Sequence, residues 1–270
     1  MRYLIIIILL FSMTYASAQA PASWGAKLGM NLSQHYGTKG DEGDYQVKTG
    51  LRPGFIGGLY VDFAANDNLS LGFEALYSMK GSREQITISK MELDGVVEEL
   101  ERPAVMDVKY YMDYLEIPVL LKLKTLKIKN MEMVAIVGTA MGLKLKGYHE
   151  LEGRVYFPDG DGEYSEIPIW EESRLSDVNM FDFSFVYGGA LNLMASYPLS
   201  LEYRFTLGWD YLYLPTYQFF EPVALRNQAW SVLLTTTFLG ANMKLSLSLI
   251  LIILSINLFA AGFRTSLDLR

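Results

Sequence analysis

An eight-stranded antiparallel up-and-down transmembrane β-barrel, all-β, with short periplasmic turns and long extracellular loops, is the fold class this sequence predicts. Three observations predict it: a secretory leader, about eight stretches of alternating apolar and polar residues, and connections that alternate long with short. The clearest stretch is Leu199–Tyr213. One parity reads Leu199, Leu201, Tyr203, Phe205, Leu207, Trp209, Tyr211, Tyr213; the other holds Ser200, Glu202, Arg204, Thr206, Gly208, Asp210 and Leu212. A period of two puts every charge on one face of a strand, as a wall between lipid and a polar interior requires.

The leader occupies residues 1–18. Arg2 supplies its positive region, Leu4–Phe11 its apolar core and Ala16-Ser17-Ala18 its cleavage site. The apolar run is short for a membrane span, so the chain is read as exported with its leader removed. A hydrophobic fraction of 51% is ordinary for a globular chain and excludes a helical polytopic membrane protein. Aromatics at 13%, including 18 Tyr, favour strands and interfacial belts. A net charge of −7 argues against a nucleic-acid partner. With no Cys and two His, disulfides, thiolate metal sites and a Cys nucleophile are excluded, and neither a metal site nor a cofactor is expected.

The strands follow in order. Trp24–Gln34 sets Trp24, Ala26, Leu28, Met30 and Leu32 against Gly25, Lys27, Gly29, Asn31 and Ser33. Phe55–Phe63 and Leu69–Lys80 alternate likewise, and Ala64–Asn68 between them has the Asn/Asp chemistry of a tight turn. A long polar segment, Gly81 to about Lys109, is read as a loop before a fourth strand at Tyr111–Lys124, where Pro118 predicts a bulge or kink. A short connection, Thr125–Asn130, leads to a fifth strand over Met131–Lys146. The acidic segment Gly147–Met180 is read as a second long loop before a sixth strand at Phe181–Ala195. Ser196-Tyr197-Pro198 turns into Leu199–Tyr213, Leu214–Gln228 is the last long connection, and Ala229–Leu239 closes the set. Trp24, Phe63 and Phe238 fall at the periplasmic strand ends; Phe55, Tyr77, Tyr114, Trp209, Tyr211 and Trp230 fall at the outer ends. Two such belts are what a bilayer selects. A soluble lipocalin-like barrel, with the apolar parity lining a ligand cavity, is the competing architecture.

Four segments carry a family resemblance: Trp24-Gly25-Ala26-Lys27-Leu28-Gly29-Met30-Asn31, Leu71-Gly72-Phe73-Glu74, Tyr114-Leu115-Glu116-Ile117-Pro118-Val119-Leu120-Leu121-Lys122 and Tyr187-Gly188-Gly189-Ala190. With them the chain resembles the PorT-like outer-membrane barrels from about Trp24 to Phe238, the Leu-Glu-Ile-Pro-Val-Leu-Leu-Lys run being the most specific part. The resemblance implies an eight-stranded outer-membrane barrel over residues 19–240. The family's founding member takes part in type IX secretion; the family itself is broad.

The inward parity offers Lys27, Asp62, Glu74, Lys80, Glu116, Lys122, Lys144, Asp182, Glu202, Arg204 and Asp210. Eight strands leave room for side chains rather than an open pore, and buried charges must pair. An internal ion-pair network is therefore expected, with Glu74, Glu116 and Arg204 as first candidates for its centre; a proton path is the alternative. His35 and His149 are read as solvated loop residues with no nucleophile assigned to them, and a lipid-modifying site at the rim is the enzymatic alternative. Between His149 and Asp177 acids dominate, and Asp159–Glu163 reads as a turn without the full ligand spacing of a calcium loop. Weak divalent binding there is the alternative. Tyr156, Phe157, Tyr164 and Trp170 in the same segment are candidates for a recognition surface.

Residues 241–270 form an apolar tail that itself reads as a leader: Met243, Lys244, then the uncharged run Leu245–Ala261. A following reading frame joined to this one is one explanation and a C-terminal membrane helix the other. The function expected is that of a non-enzymatic outer-membrane barrel of a Gram-negative bacterium, structural or part of an envelope or secretion complex, acting through its external loops. Expected partners are outer-membrane lipid, the barrel-assembly machinery during biogenesis, and envelope or secretion-system proteins.

Overall fold

The computed structural model describes residues 22–37, 45–93, 96–158, 164–175, 178–193, 198–209, 212–214 and 223–238. The leader, the apolar tail, Asp210, Tyr211 and the turn Asp159–Glu163 lie outside the described residues, as do the side chains of Phe157 and Tyr164. The strands in chain order are β1 (Ala22–Gly37), β2 (Tyr45–Gly50), β3 (Arg52–Ala64), β4 (Leu69–Leu93), β5 (Val96–Ile128), β6 (Met131–Pro158), β7 (Tyr164–Arg174), β8 (Phe181–Leu193), β9 (Leu199–Gly208), β10 (Leu212–Leu214) and β11 (Val223–Phe238).

Eight of them, β1-β3-β4-β5-β6-β8-β9-β11, form an antiparallel ring that closes where β1 pairs β11 from Trp24↔Phe238 to Gly37↔Leu225. Closure removes the unpaired edges that would be intolerable in hydrocarbon. Parity does the rest. Met30, Val137, Tyr187, Leu201, Tyr203 and Leu234 are exposed on the outer wall, whereas Lys27, Glu74, Glu116, Glu202 and Arg204 are buried inside. Apolar outside and charged inside is the arrangement of a lipid-facing barrel and the reverse of a lipocalin.

The structure corrects three expectations and adds a parity change along β6. The segments read as long loops are largely strand: β4 runs on to Leu93, β5 begins at Val96, β6 reaches Pro158 and β7 covers Tyr164–Arg174. Here the alternation continues, with Ala104, Met106 and Val108 buried between exposed Val105 and Asp107. Pro118 interrupts the β4–β5 ladder without shifting it, since Phe73↔Val119 and Leu76↔Glu116 share one register. The irregularities of β5 lie at Asp113/Tyr114 and Lys124/Leu126 against β6, and opposite Ile88/Lys90 against β4, instead. The first of these makes Leu145 an extra residue on β6, so inward parity passes from even to odd numbers and Lys146 ends outside. Finally, Tyr114 is fully buried rather than part of the outer belt, because it shares the parity of Glu116.

A transmembrane strand needs about 9–11 residues, and β5 has 33. Its lipid-facing run is Leu115–Leu123, which leaves Val96–Asp113 beyond the membrane. At about 3.3 Å per residue and a tilt near 45°, that extension stands roughly 40 Å tall. With β2 on β4 and β7 on β6, it forms an open five-stranded sheet, β2-β4-β5-β6-β7, above the barrel.

At the junction with this sheet Gly81 has φ of 150°, and a Cβ there would lie 2.0 Å from the Tyr110 carbonyl oxygen. Arg52 crosses this bare backbone, donates from Nη1 to the Lys80 carbonyl at 2.7 Å, and stacks on the Tyr111 ring at 4.3 Å. Gly81→Ala is therefore expected to destabilise the fold by about 1–3 kcal/mol, read as a lower urea midpoint of the refolded protein in detergent.

Candidate functional site

The lumen is filled in layers. Nearest the periplasmic end, Lys27 on β1, Asp62 on β3, Glu74 on β4, Lys122 on β5 and Glu202 and Arg204 on β9 form one network. Arg204 grips Glu74 with both terminal nitrogens at 2.7 Å and donates its Nε to Glu202. Lys27 bridges the same two carboxylates, at 2.7 Å from Glu74 and 2.6 Å from Glu202. Lys122 holds Asp62 at 2.6 and 2.9 Å and lies 3.7 Å from Glu74. Gly72 makes room for that pair, since a Cβ there would lie 2.6 Å from the Asp62 carboxylate. Three cations face three carboxylates, so the layer is neutral as a whole. Against the β6 and β8 walls the same depth is filled by Leu120, Val134, Ile136, Ala140 and Val186.

Above it lies a neutral polar step: Ser231 donates to Asn31 at 2.6 Å, and Asn31 donates to Ser78 at 2.8 Å. A second ionic group follows. Lys80 pairs with Glu116 and lies 3.6 Å from Asp182. Asn227 donates to Asp182 at 2.9 Å and to the Tyr114 hydroxyl at 3.2 Å. Glu116 thus belongs to this group and not to the Glu74–Arg204 centre.

The outer mouth is closed by apolar side chains, among them Met112, Tyr114, Leu151, Leu175, Val178, Leu212 and Leu225. Leu175 and Val178, from the β7–β8 connection, turn inward. Lys144 pins them, donating to the Leu175 carbonyl at 3.0 Å and the Val178 carbonyl at 2.5 Å. The two histidines are buried here, not solvated. Both rings flank Tyr110, at 5.3 Å for His35 and 5.9 Å for His149, and Glu84 lies 3.6 Å from His35 Nδ1. The long strands carry them inward. The Ser33 hydroxyl is committed to Gly81, accepting its N–H at 2.9 Å and donating to its carbonyl at 3.0 Å.

Of the external aromatics, Trp170 is 67% exposed on β7, and Tyr156 lies partly buried on β6 with the Arg102 guanidinium 5.9 Å from its ring. Phe157 pairs with Ser165 and Tyr164 with Pro158 at the top of the same β6–β7 hairpin. Nothing in the residue types announced the neutral step, the inward-turned connection or the tilted histidine–tyrosine–histidine cluster. Parity alone pointed to burial for Tyr114.

A closed ring with an apolar exterior, paired charges inside and a tall external sheet defines a small outer-membrane β-barrel. Residues 17–213 match the outer membrane protein beta-barrel domain family, and the chain belongs to it. Membership places the barrel in an outer membrane. Among solved structures it is similar to the attachment invasion locus protein Ail of Yersinia pestis, with 11% identity over 80% of this chain and 99% of that one and a TM-score of 0.33. It is also similar to Neisserial surface protein A, with 11% identity over 81% and 99% and a TM-score of 0.37. The outer membrane protease OmpT from Escherichia coli matches with 10% identity over 80% and 94% and a TM-score of 0.30. No curated protein matches the chain.

Replacing Glu74 by Leu strips Arg204 and Lys27 of a shared partner. It is expected to cost about 3–5 kcal/mol, seen as loss of the compact, fast-migrating unheated band or as a lowered urea midpoint. A second expectation concerns pH. His149 lies beyond the lipid-facing band, where burial holds its imidazole below the usual range and Glu171 only partly offsets this. The unfolded chain then binds the proton more readily, so this stabilisation is complete above about pH 6.5 and declines as pH falls through that value. His149→Gln should flatten the decline in urea midpoint between neutral and mildly acidic pH.

Proposed function

We propose that this barrel is a non-enzymatic recognition protein of the cell envelope, acting through the external sheet while the barrel itself is a sealed anchor. The observation that carries the reading is the filled lumen: among the described residues, ionic groups at two depths, a neutral step and an apolar mouth occupy the interior. A strand system that projects roughly 40 Å past the lipid-facing band is then the part available for work. Its exposed residues, Trp170, Ile167, Ile169 and Val105 among carboxylates, are a surface chemistry that suits a protein contact. The commitment of Ser33 to backbone favours recognition over rim catalysis.

The resemblance to PorT-like barrels supports a place in an envelope or secretion complex. Lipid around the outer wall and the assembly machinery during insertion complete the set of partners. Residues 19–240 are taken as the mature working unit, preceded by a cleaved leader.

The test is a chain whose β4–β5 and β6–β7 hairpins are cut back to short turns just above the barrel rim. It should still insert and show the compact unheated band, and neither form should conduct ions across a planar bilayer. The full chain should enter a larger detergent-extracted envelope assembly on native gels, and the trimmed chain should not. A trimmed chain that enters the same assembly, or a steady ionic current through the full chain, overturns the reading.

A further inference from the structure

The far edge of β7 specifies what kind of partner the external sheet fits, and this inference rests on the recognition reading. Among the described residues β7 hydrogen-bonds to β6 and to no other strand. The direction of its backbone groups follows from Leu175, whose N–H donates to the Gly147 carbonyl at 3.0 Å in continuation of the β6–β7 register. Backbone groups alternate sides along an antiparallel strand. Ile167, Ile169, Glu171 and Ser173 therefore turn theirs to β6, and Glu166, Pro168, Trp170, Glu172 and Arg174 present theirs to the open edge.

Pro168 sits where its missing N–H costs the β6 ladder nothing, the position a strand tolerates. It also divides the edge. Around Pro168 a pairing strand would find a carbonyl with no donor beside it; from Trp170 to Arg174 every outward donor and acceptor is intact. That half also carries the exposed indole of Trp170 and the carboxylates Glu171 and Glu172. A second copy pairing antiparallel through this half would set Glu172 against its equivalent, which like-charge opposition disfavours.

We propose that the Trp170–Arg174 half of β7 takes up an extended basic peptide segment as an added strand. The partner's backbone pairs with the outward groups of Trp170, Glu172 and Arg174. Its lysines or arginines face Glu171 and Glu172 on the two sides of the sheet, and one of them lies against the Trp170 ring.

The experiment uses the full chain refolded in detergent micelles and two labelled peptides of about eight residues, alternating Lys-Val and alternating Glu-Val. Amide exchange in the free protein should be fast at Trp170, Glu172 and Arg174 and slow at Glu171 and Ser173. The Lys-Val peptide should bind and slow the three outward amides, and the Glu-Val peptide should not bind. Glu172→Pro, which removes one outward donor and leaves the β6 ladder intact, should weaken Lys-Val binding at least about tenfold, as loss of an obligatory strand contact does. The paired change Glu171→Lys and Glu172→Lys should reverse the preference to Glu-Val. Slow exchange at the outward amides of the free protein, equal binding of the two peptides, or a Glu172→Pro chain that binds as before would each overturn the assignment. If they do so while trimming the hairpins still disrupts the envelope assembly, recognition by the sheet stands and only the edge assignment falls.

Discussion

The grip of Arg204 on Glu74 and Glu202, shared by Lys27, is the interaction on which the rest of this barrel depends. A narrow cylinder of eight strands excludes bulk water, so each charge must find its counter-charge within the wall. The circuit reaches from β1 through β4 to β9, with Lys122 and Asp62 extending it to β5 and β3. It therefore ties strands that are not ladder neighbours. A one-residue slip in any of them would turn a charge into lipid and an apolar side chain into the ionic layer. The outer apolar band and the inner circuit thus enforce the same register from opposite sides.

The order of layers has a physical consequence. Ionic groups at two depths are separated by the Asn31–Ser78–Ser231 step, whose hydroxyls and amide satisfy one another. The lower group is compensated within its own layer, whereas above the step Lys80 alone serves both Glu116 and Asp182, the latter with help from the Asn227 amide. The apolar mouth above them keeps water out and leaves the pairs strong. A lumen filled in this way is the physical basis of the proposed division between an anchoring barrel and a working external sheet.

Much of the barrel wall was legible because a period of two in a two-solvent wall is a strong constraint. Leu199–Gly208 could be assigned face by face from its residue types alone. The external sheet was less legible for a specific reason: buried Ser82, Glu84 and exposed Arg83, Gln85 are polar on both parities, so alternation there carries no hydropathy signal. Ile86, Ala104, Met106 and Val108 hold the alternation that was there to be found. The inward set of charges could be enumerated, yet which cation meets which carboxylate depends on strand tilt and stagger. Glu116 accordingly lies with Lys80 and not with Arg204. The parity change at Leu145 arises from a bulge that no residue type announces, and it is what carries His149 inside.

The sealing of the mouth and the openness of the β7 edge have one cause. β7 and β8 descend along β6 as a single strand interrupted once. Between Tyr148↔Arg174 and Leu143↔Phe181, β6 advances five residues while the descending strand advances seven. The surplus is the segment that turns inward, with Leu175 and Val178 filling the mouth and Lys144 holding their carbonyls. Across the wall the ascending strand behaves in the same way. β9 leaves β8 beyond the bond from the Trp209 N–H to the Phe183 carbonyl, and between Gln228↔Leu207 and Leu225↔Leu212 the chain takes five residues against three of β11, with Leu212 also buried in the mouth. Leu175 and Val178 on one side of the seam and Leu212 on the other fill the mouth, and above it each strand pairs only with its outer neighbour, β7 with β6 and β10 with β11. The β8–β9 seam parts at that height, so β7 rises on β6 without a ladder partner on its other side among the described residues. Closing the lumen and opening an edge are therefore one structural event.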